Sequence, residues 1–190
     1  MNTRIVVLGS GNSGTLAANR LRRYCDGDDV RIIVIDRRDT RDQETDLLMA
    51  LGLYGAHALL APEHLRLRDG IEFRHAEAAT VDPYGREVYL TDGTTVGYDV
   101  LVLTTGTPLL RGEHGLVQVN PLTRRSLAHP EVFALGAAAA GHTTTSPSIH
   151  VQAENTARTV QWLLADGELP RRDTTSRDRT GTPAAAGPLQ

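Results

Sequence analysis

Aromatic side chains are scarce: Phe, Trp and Tyr together make up 4% of the 190 residues. Stacking platforms for single-stranded nucleic acid are built from such rings. No basic block stands out in the folded part, and the formal net charge is −3, so a DNA or RNA partner is not expected. Cysteine occurs once, as Cys25. One cysteine excludes an intrachain disulfide, a redox-active pair and a thiolate zinc cluster, and Cys25 is expected to do no more than fill a helix end. The seven histidines include no i, i+4 pair on a clear helix, so no metal site is expected. The Gly-x-Ser-x-Gly elbow of the α/β-hydrolases does not occur. Long apolar runs are missing too. No segment approaches the ~18 residues that span a bilayer, and the run at residues 5–8 is too short for a secretory leader. A soluble, cytoplasmic protein with no membrane partner is expected.

What is there is enough for one core, with hydrophobic residues at 40%. Arg4 to Leu8 is β-branched and apolar and breaks at Gly9, as a buried parallel strand does. A helix is expected over Ser13 to Tyr24, where Ala17, Leu21 and Tyr24 recur at helical spacing. Val30 to Ile35 reads as a second buried strand ending at Asp36, which completes a βαβ unit. Residues 42–66 are leucine-rich and helical in pattern but broken by Gly52, Gly55 and Pro62. Short β-type runs follow at Ile71 to His75, Arg86 to Thr91, Val100 to Thr104, Val117 to Val119 and Val132 to Leu135, with turn signals at Pro83-Tyr84-Gly85 and Asp92-Gly93. A last helix is expected from about Ser148 to Asp166, with Ala153, Ala157, Val160 and Leu164 on its apolar face and Gly167 at its end. This gives one α/β domain over residues 1–167. The polar stretch 168–190 reads as a tail, disordered or packed on a partner.

Gly9-Ser10-Gly11-Asn12-Ser13-Gly14 is a G-x-G-x-x-G. Alone it is a weak signal, but here it follows a strand, opens a helix, and is followed 22 residues after Gly14 by Asp36 at the end of the next strand. Each part has a physical task. Gly9 permits the tight turn, Gly11 lets the backbone approach a pyrophosphate, and Gly14 lets helix and strand pack closely. Asn12 and Ser13 open the helix, whose unpaired N–H groups and positive dipole end suit phosphates. Asp36 can accept hydrogen bonds from ribose hydroxyls, which favours an unphosphorylated ribose. Arg37 and Arg38 leave a second possibility open, since an arginine there could meet a 2′-phosphate. The fingerprint does not choose between NAD and FAD.

Residues 76–82, 86–90, Asp92-Gly93 and 98–106, the last ending Thr104-Thr105-Gly106, form one continuous pattern. It resembles the β-meander and following strand of the FAD domain in the pyridine-nucleotide disulfide oxidoreductase superfamily, which includes type II NADH dehydrogenases and sulfide:quinone oxidoreductases. Residues 115–120 and 129–136 resemble that superfamily's second flavin motif. Residues 148–153 resemble the helix start that faces the isoalloxazine. The resemblance covers most of residues 3–167. It implies a Rossmann-like fold with a central parallel sheet and a β-meander, and FAD as cofactor. It adds Ala78, Thr105, Gly106, Gly136 and Ala137 to the cofactor-binding set, and it makes His150 a catalytic candidate beside the flavin. Tyr54 and His57 fall in a segment near the ring in relatives, and the polar run Thr143 to Ser146 could line a cavity.

Two departures shape the functional expectation. Where two-domain relatives carry a nicotinamide-binding domain, this chain has only Thr107 to His114, far short of the ~30 residues of a βαβ unit. With it, the resemblance leads one to expect that the relatives' C-terminal domain is missing too, its place taken by the polar tail. The superfamily's Leu-Gly-Asp is Leu135-Gly136-Ala137 here, so the backbone donor remains and the carboxylate is lost. The resemblance then implies a miniaturised FAD-binding oxidoreductase acting on a small organic substrate, its electrons coming from that substrate or from a separate reductase. A redox-silent cyclase or isomerase using the cleft, and a non-catalytic partner subunit, are the alternatives. A homodimer is expected, with Leu109-Leu110 and the leucine-rich 47–60 segment as contact surfaces.

Overall fold

The structure is a computed structural model and describes residues 3–25, 29–37, 67–110, 115–141 and 145–168. Strand β1 (Thr3–Leu8), helix α1 (Asn12–Tyr24) and strand β2 (Val30–Asp36) form the expected βαβ unit. Strand β3 (Ile71–His75) follows, then β4 (Ala78–Asp82), β5 (Glu87–Leu90), β6 (Thr95–Gly97), β7 (Val100–Leu103), β8 (Val132–Ala134) and helix α2 (Ser146–Asp166). Five of the strands form one parallel sheet in the order β3-β2-β1-β7-β8. The other three, β4, β5 and β6, form an antiparallel meander. The fold is α/β and Rossmann-like, as the sequence implies.

Side chains alternate across the parallel strands, and each set has its own core. Ile5, Val7, Ile32, Val34, Val100 and Val102 pack under α1 and α2, against Leu16, Leu21, Ala153, Ala157, Val160 and Leu163. Val6, Leu8, Ile33, Ile35, Leu101 and Leu103 face the other way, onto Val81, Val88, Leu90, Val96 and Tyr98 of the meander side. The sheet is therefore covered on both faces, which is why its strands read as unbroken apolar runs.

Several expectations need correction. Residues 117–119 do not form a strand; Val117 and Val119 make isolated bridges, to Ala139 and Ser126. Strand β6 was not expected from the residue pattern. Helix α2 begins at Ser146, two residues early, because Pro147 fits the first turn. Its buried stripe includes Leu163 rather than Leu164. The expected contact surface at Leu109-Leu110 is also wrong. The Leu109 carbonyl accepts the Val81 N–H at 2.8 Å, and Leu110 is buried in the meander-side core. The leucine-rich 42–66 segment, with Tyr54 and His57, lies outside the described residues, as do 142–144 and the tail from 169. Cys25 caps α1 and is buried as expected, and burial, partly opposed by the Arg22 charge, pushes its thiol up to about 11.

Candidate dinucleotide site

All five strands of the main sheet are parallel, so their C-terminal ends share one edge. The chain leaves β1 for β2 on one side, and β7 later pairs on the other, so a crevice opens outside the end of β1. The glycine turn sits there. Gly9 has φ +101°, and its N–H donates to the Ile35 carbonyl at 2.9 Å. A Cβ on Gly14 would lie 1.9 Å from the Gly9 carbonyl oxygen, so α1 can approach β1 only with glycine there. Gly11 differs: a Cβ on it would meet nothing within 4 Å, so its outer face is open. Gly11 is the N-cap of α1, with no side-chain cap and no acid in the first turn. Asn12 is exposed and Ser13 half-buried. The helix thus presents unpaired N–H groups with no anion of its own to meet them.

Asp36 does more than the spacing implied. The register Leu8↔Ile35 sets Ser10 beside Asp36. Asp36 Oδ2 accepts the Ser10 N–H at 2.6 Å and the Ser10 hydroxyl at 2.9 Å. Thr15 in turn donates its hydroxyl to the Ser10 carbonyl at 2.8 Å. Ser10 and Thr15 were not singled out by sequence reasoning; only the strand register could have found them. Arg37 is exposed and pairs with Glu77 at 3.3 Å. The Ala76 N–H donates to the Asp36 carbonyl, which sets Ala78, at the start of β4, close to the end of β2.

Thr104, Thr105 and Gly106 follow β7 and close the turn from the other side. Thr104 donates its hydroxyl to the Leu8 carbonyl at 2.8 Å. A Cβ on Gly9 would sit 2.5 Å from that hydroxyl oxygen and 3.2 Å from Thr105 Cγ2. Thr105 Oγ1 is buried beside the turn with no hydrogen-bond partner. After β8 come Gly136 and Ala137. Gly136 has φ +60°, and a Cβ on it would lie 2.4 Å from Ser13 Oγ, so this turn meets the first turn of α1. The Gly136 N–H donates to Gln152 Oε1 at 3.0 Å, and Gln152 Nε2 donates to Ser148 Oγ at 2.7 Å. Gln152 is buried and was also missed. Ala137 is exposed, 3.4 Å from where a Gly106 Cβ would stand. The structure thus brings Gly9, Gly11, Asn12, Ser13, Gly14, Asp36, Thr105, Gly106, Gly136 and Ala137 to one sheet edge. His150 lies half-buried in the early turns of α2, two residues before Gln152. Arg37 and Ala78 stand at the rim beyond Asp36.

These features fit a dinucleotide. The open face of Gly11, the uncapped helix start and the partnerless Thr105 hydroxyl suit a diphosphate and its neighbouring hydroxyls. A groove of about 600 Å³ lies elsewhere, against the C-terminal half of α2, and contains none of these residues. The site is assigned to the strand ends on its chemistry rather than on cavity size. Among the described residues no group of three His, Cys, Asp or Glu side chains could hold a metal ion, and no helix is long and apolar enough to cross a membrane.

Fold and site together define a Rossmann-type protein with a candidate dinucleotide site. The comparisons narrow this. The chain is 34% identical over 109 residues to "Probable ferredoxin reductase CtmF" of Castellaniella defragrans, a match covering 55% of this chain and 26% of that one. It is 30% identical over 105 residues to ferroptosis suppressor protein 1 of Taeniopygia guttata, covering 55% of this chain and 27% of the relative. The match thus spans about a quarter of the length of these curated relatives. A thioredoxin reductase structure from Gloeobacter violaceus superposes with a TM-score of 0.59 at 11% identity, over 95% of this chain and 99% of that one, which supports the fold. No family model matches the chain. Over about half its length the chain is thus similar in sequence to part of a ferredoxin reductase and of ferroptosis suppressor protein 1, and its fold is that of the thioredoxin reductase structure.

Proposed function

We propose that the protein binds FAD in an extended arrangement and serves as the flavin-holding part of an oxidoreductase. In this reading the pyrophosphate lies over Gly11 and Ser13 at the start of α1, and the adenosine ribose meets Asp36. The middle of the cofactor passes Thr105, Gly106 and Ala137 toward the start of α2. The observation that carries the reading is the open, uncapped helix start beside the buried, partnerless Thr105 hydroxyl. The similarity to a ferredoxin reductase supports redox work on a small partner or molecule. Bound flavin would supply the electron chemistry. The chain's own residues bind and orient it: Asp36 fixes the glycine turn through Ser10, and Gln152 ties the Gly136 turn to α2. His150 is the candidate to hold or move a proton near the ring.

Absorbance and FAD titration of the purified protein test this reading. Flavin bands, or saturable uptake of FAD by the stripped protein, are expected. Asp36→Ala should weaken FAD at least about ten-fold while the chain stays folded, because it removes both a ribose acceptor and the anchor of the Ser10 turn. Full affinity in that variant would overturn the ribose assignment. Bleaching by a small organic donor would mark a redox enzyme, and turnover without bleaching a redox-silent one.

A further inference from the structure

The groove against the C-terminal half of α2 is separate from the dinucleotide site. Trp162 and Gln152 are ten residues apart on one helix, a rise of about 15 Å. The groove is formed by α2 and the loop that runs along the outer edge of β8, where Arg125 bridges to Phe133. Its apolar surface is unusually open: Leu127 is 71% exposed and Trp162 56% exposed, with Pro130 and Leu163 beside them. Two guanidinium groups, Arg125 and Arg158, line it, and none of its lining residues is acidic. Arg125 is already oriented, its Nε–H donating to the Pro130 carbonyl at 2.5 Å. That leaves the Nη donors for a ligand. Arg158 is held through Nε by Glu154 at 2.8 Å. An exposed tryptophan flanked by arginines has the composition of an interface hot spot.

We propose that this groove docks an acidic polypeptide segment, seating apolar side chains on Leu127 and Trp162 and pairing its carboxylates with Arg125 and Arg158. Charge complementarity selects this occupant: both charged lining residues are arginines, and although Glu154 already engages Arg158 through Nε, the Arg125 Nη donors stand at the edge of the apolar floor, which favours Glu- and Asp-flanked apolar residues and disfavours basic ones.

Trp162 is the single tryptophan of the chain, so its emission reports on the groove alone. The full chain is titrated with a short peptide built from Glu and Leu, with its Lys-for-Glu counterpart, and with its Ser-for-Leu counterpart. The expected result is a saturable blue shift with the first peptide only, weakened by added salt. Arg125→Gln should lower that affinity about ten-fold, as loss of one charge-assisted pair would. Leu127→Ser should lower it as well, and both variants should keep the thermal midpoint and FAD affinity of the parent. No saturable shift at millimolar peptide overturns the proposal, as does equal binding of the Lys peptide. An emission that shifts with protein concentration in the absence of peptide overturns it in favour of a second copy of the chain. A tryptophan already blue-shifted and shielded from acrylamide at every dilution overturns it in favour of the chain's own 169–190 segment.

Discussion

A Cβ built on Gly14 would lie 1.9 Å from the Gly9 carbonyl oxygen, whereas one on Gly11 meets nothing within 4 Å. The same one-carbon change should therefore act on different quantities. Gly14→Ala forces α1 off β1 and should cost about 3 kcal/mol or more of stability. Gly11→Ala should cost only about 0.5–1 kcal/mol, as an N-cap change, yet weaken FAD at least ten-fold by standing where the diphosphate approaches. Thermal melts with and without FAD separate the two. Ala137 permits a test of opposite sign. It is exposed, so Ala137→Asp adds a hydrated rather than a buried carboxylate, and it should tighten FAD by about 1–2 kcal/mol through a ribityl hydroxyl. Weakened binding in a titration would indicate a different path for the middle of the cofactor. At this scale the glycines and Asp36 were legible, because backbone geometry and a strand-end acid leave a fixed spacing. Ser10 and Gln152 were not. Their partners, Asp36 and Gly136, are 26 and 16 residues away, and only the packed register brings them together.

Helices α1 and α2 are joined at the surface by a polar clip. Tyr24 donates its hydroxyl to Glu154 Oε1, Arg158 donates to the same oxygen, and Arg20 lies 3.5 Å from Oε2. Burial works to raise the Glu154 pKa. The hydrogen bonds from Tyr24 and Arg158 and the nearby arginine charges outweigh it, and the carboxyl ends below its ordinary value. A carboxyl whose pKa is lower in the folded chain binds fewer protons there than when unfolded. Its stabilisation is complete above the unfolded value of about 4.5 and is lost as pH falls through the folded one. The thermal midpoint of Glu154→Gln should therefore lie below the parent's near neutral pH, and the two should converge as the solution is acidified through and below the usual carboxylate range. A constant gap at every pH would remove the clip from the account. The elements themselves were mostly legible. Strands buried on both faces give solid apolar runs, and α1 and α2 give helical periodicity. Strand β6 escaped because three residues, Thr95–Gly97, carry no period. Residues 117–119 misled because an alternating Val-x-Val looks the same whether it forms a ladder or two isolated bridges.

For the molecule as a whole, the short stretch after Gly106 matters most. Thr107 to Leu116 connects the end of β7 to the Val117 bridge, too few residues for a nicotinamide-binding βαβ unit. NADH alone should therefore fail to bleach a bound flavin rapidly. An anaerobic stopped-flow mix at micromolar NADH checks this, and fast bleaching would mean that nicotinamide finds a site on the residues present. The fold class was legible at this scale because the fingerprint, the two buried strands and the meander follow one another in order along the chain. The groove beside Trp162 was not, since it joins a loop to a helix face. The position of β1 also bears on how the chain reaches its native state. Although first in sequence, β1 is the central strand, paired with β2 on one side and with β7 on the other. Its pairing with β7 joins Ile5 to Val100 and Leu8 to Leu103, a loop of some 95 residues that must close before the sheet gains its second half. Such long-range parallel pairing makes folding slow. During synthesis, β1 emerges with one edge unpaired and keeps it unpaired until β7 has cleared the ribosome. Nascent chains of this protein thus carry an open strand edge while the roughly 95 residues between β1 and β7 are being made, and an open edge of that kind invites aggregation and chaperone binding.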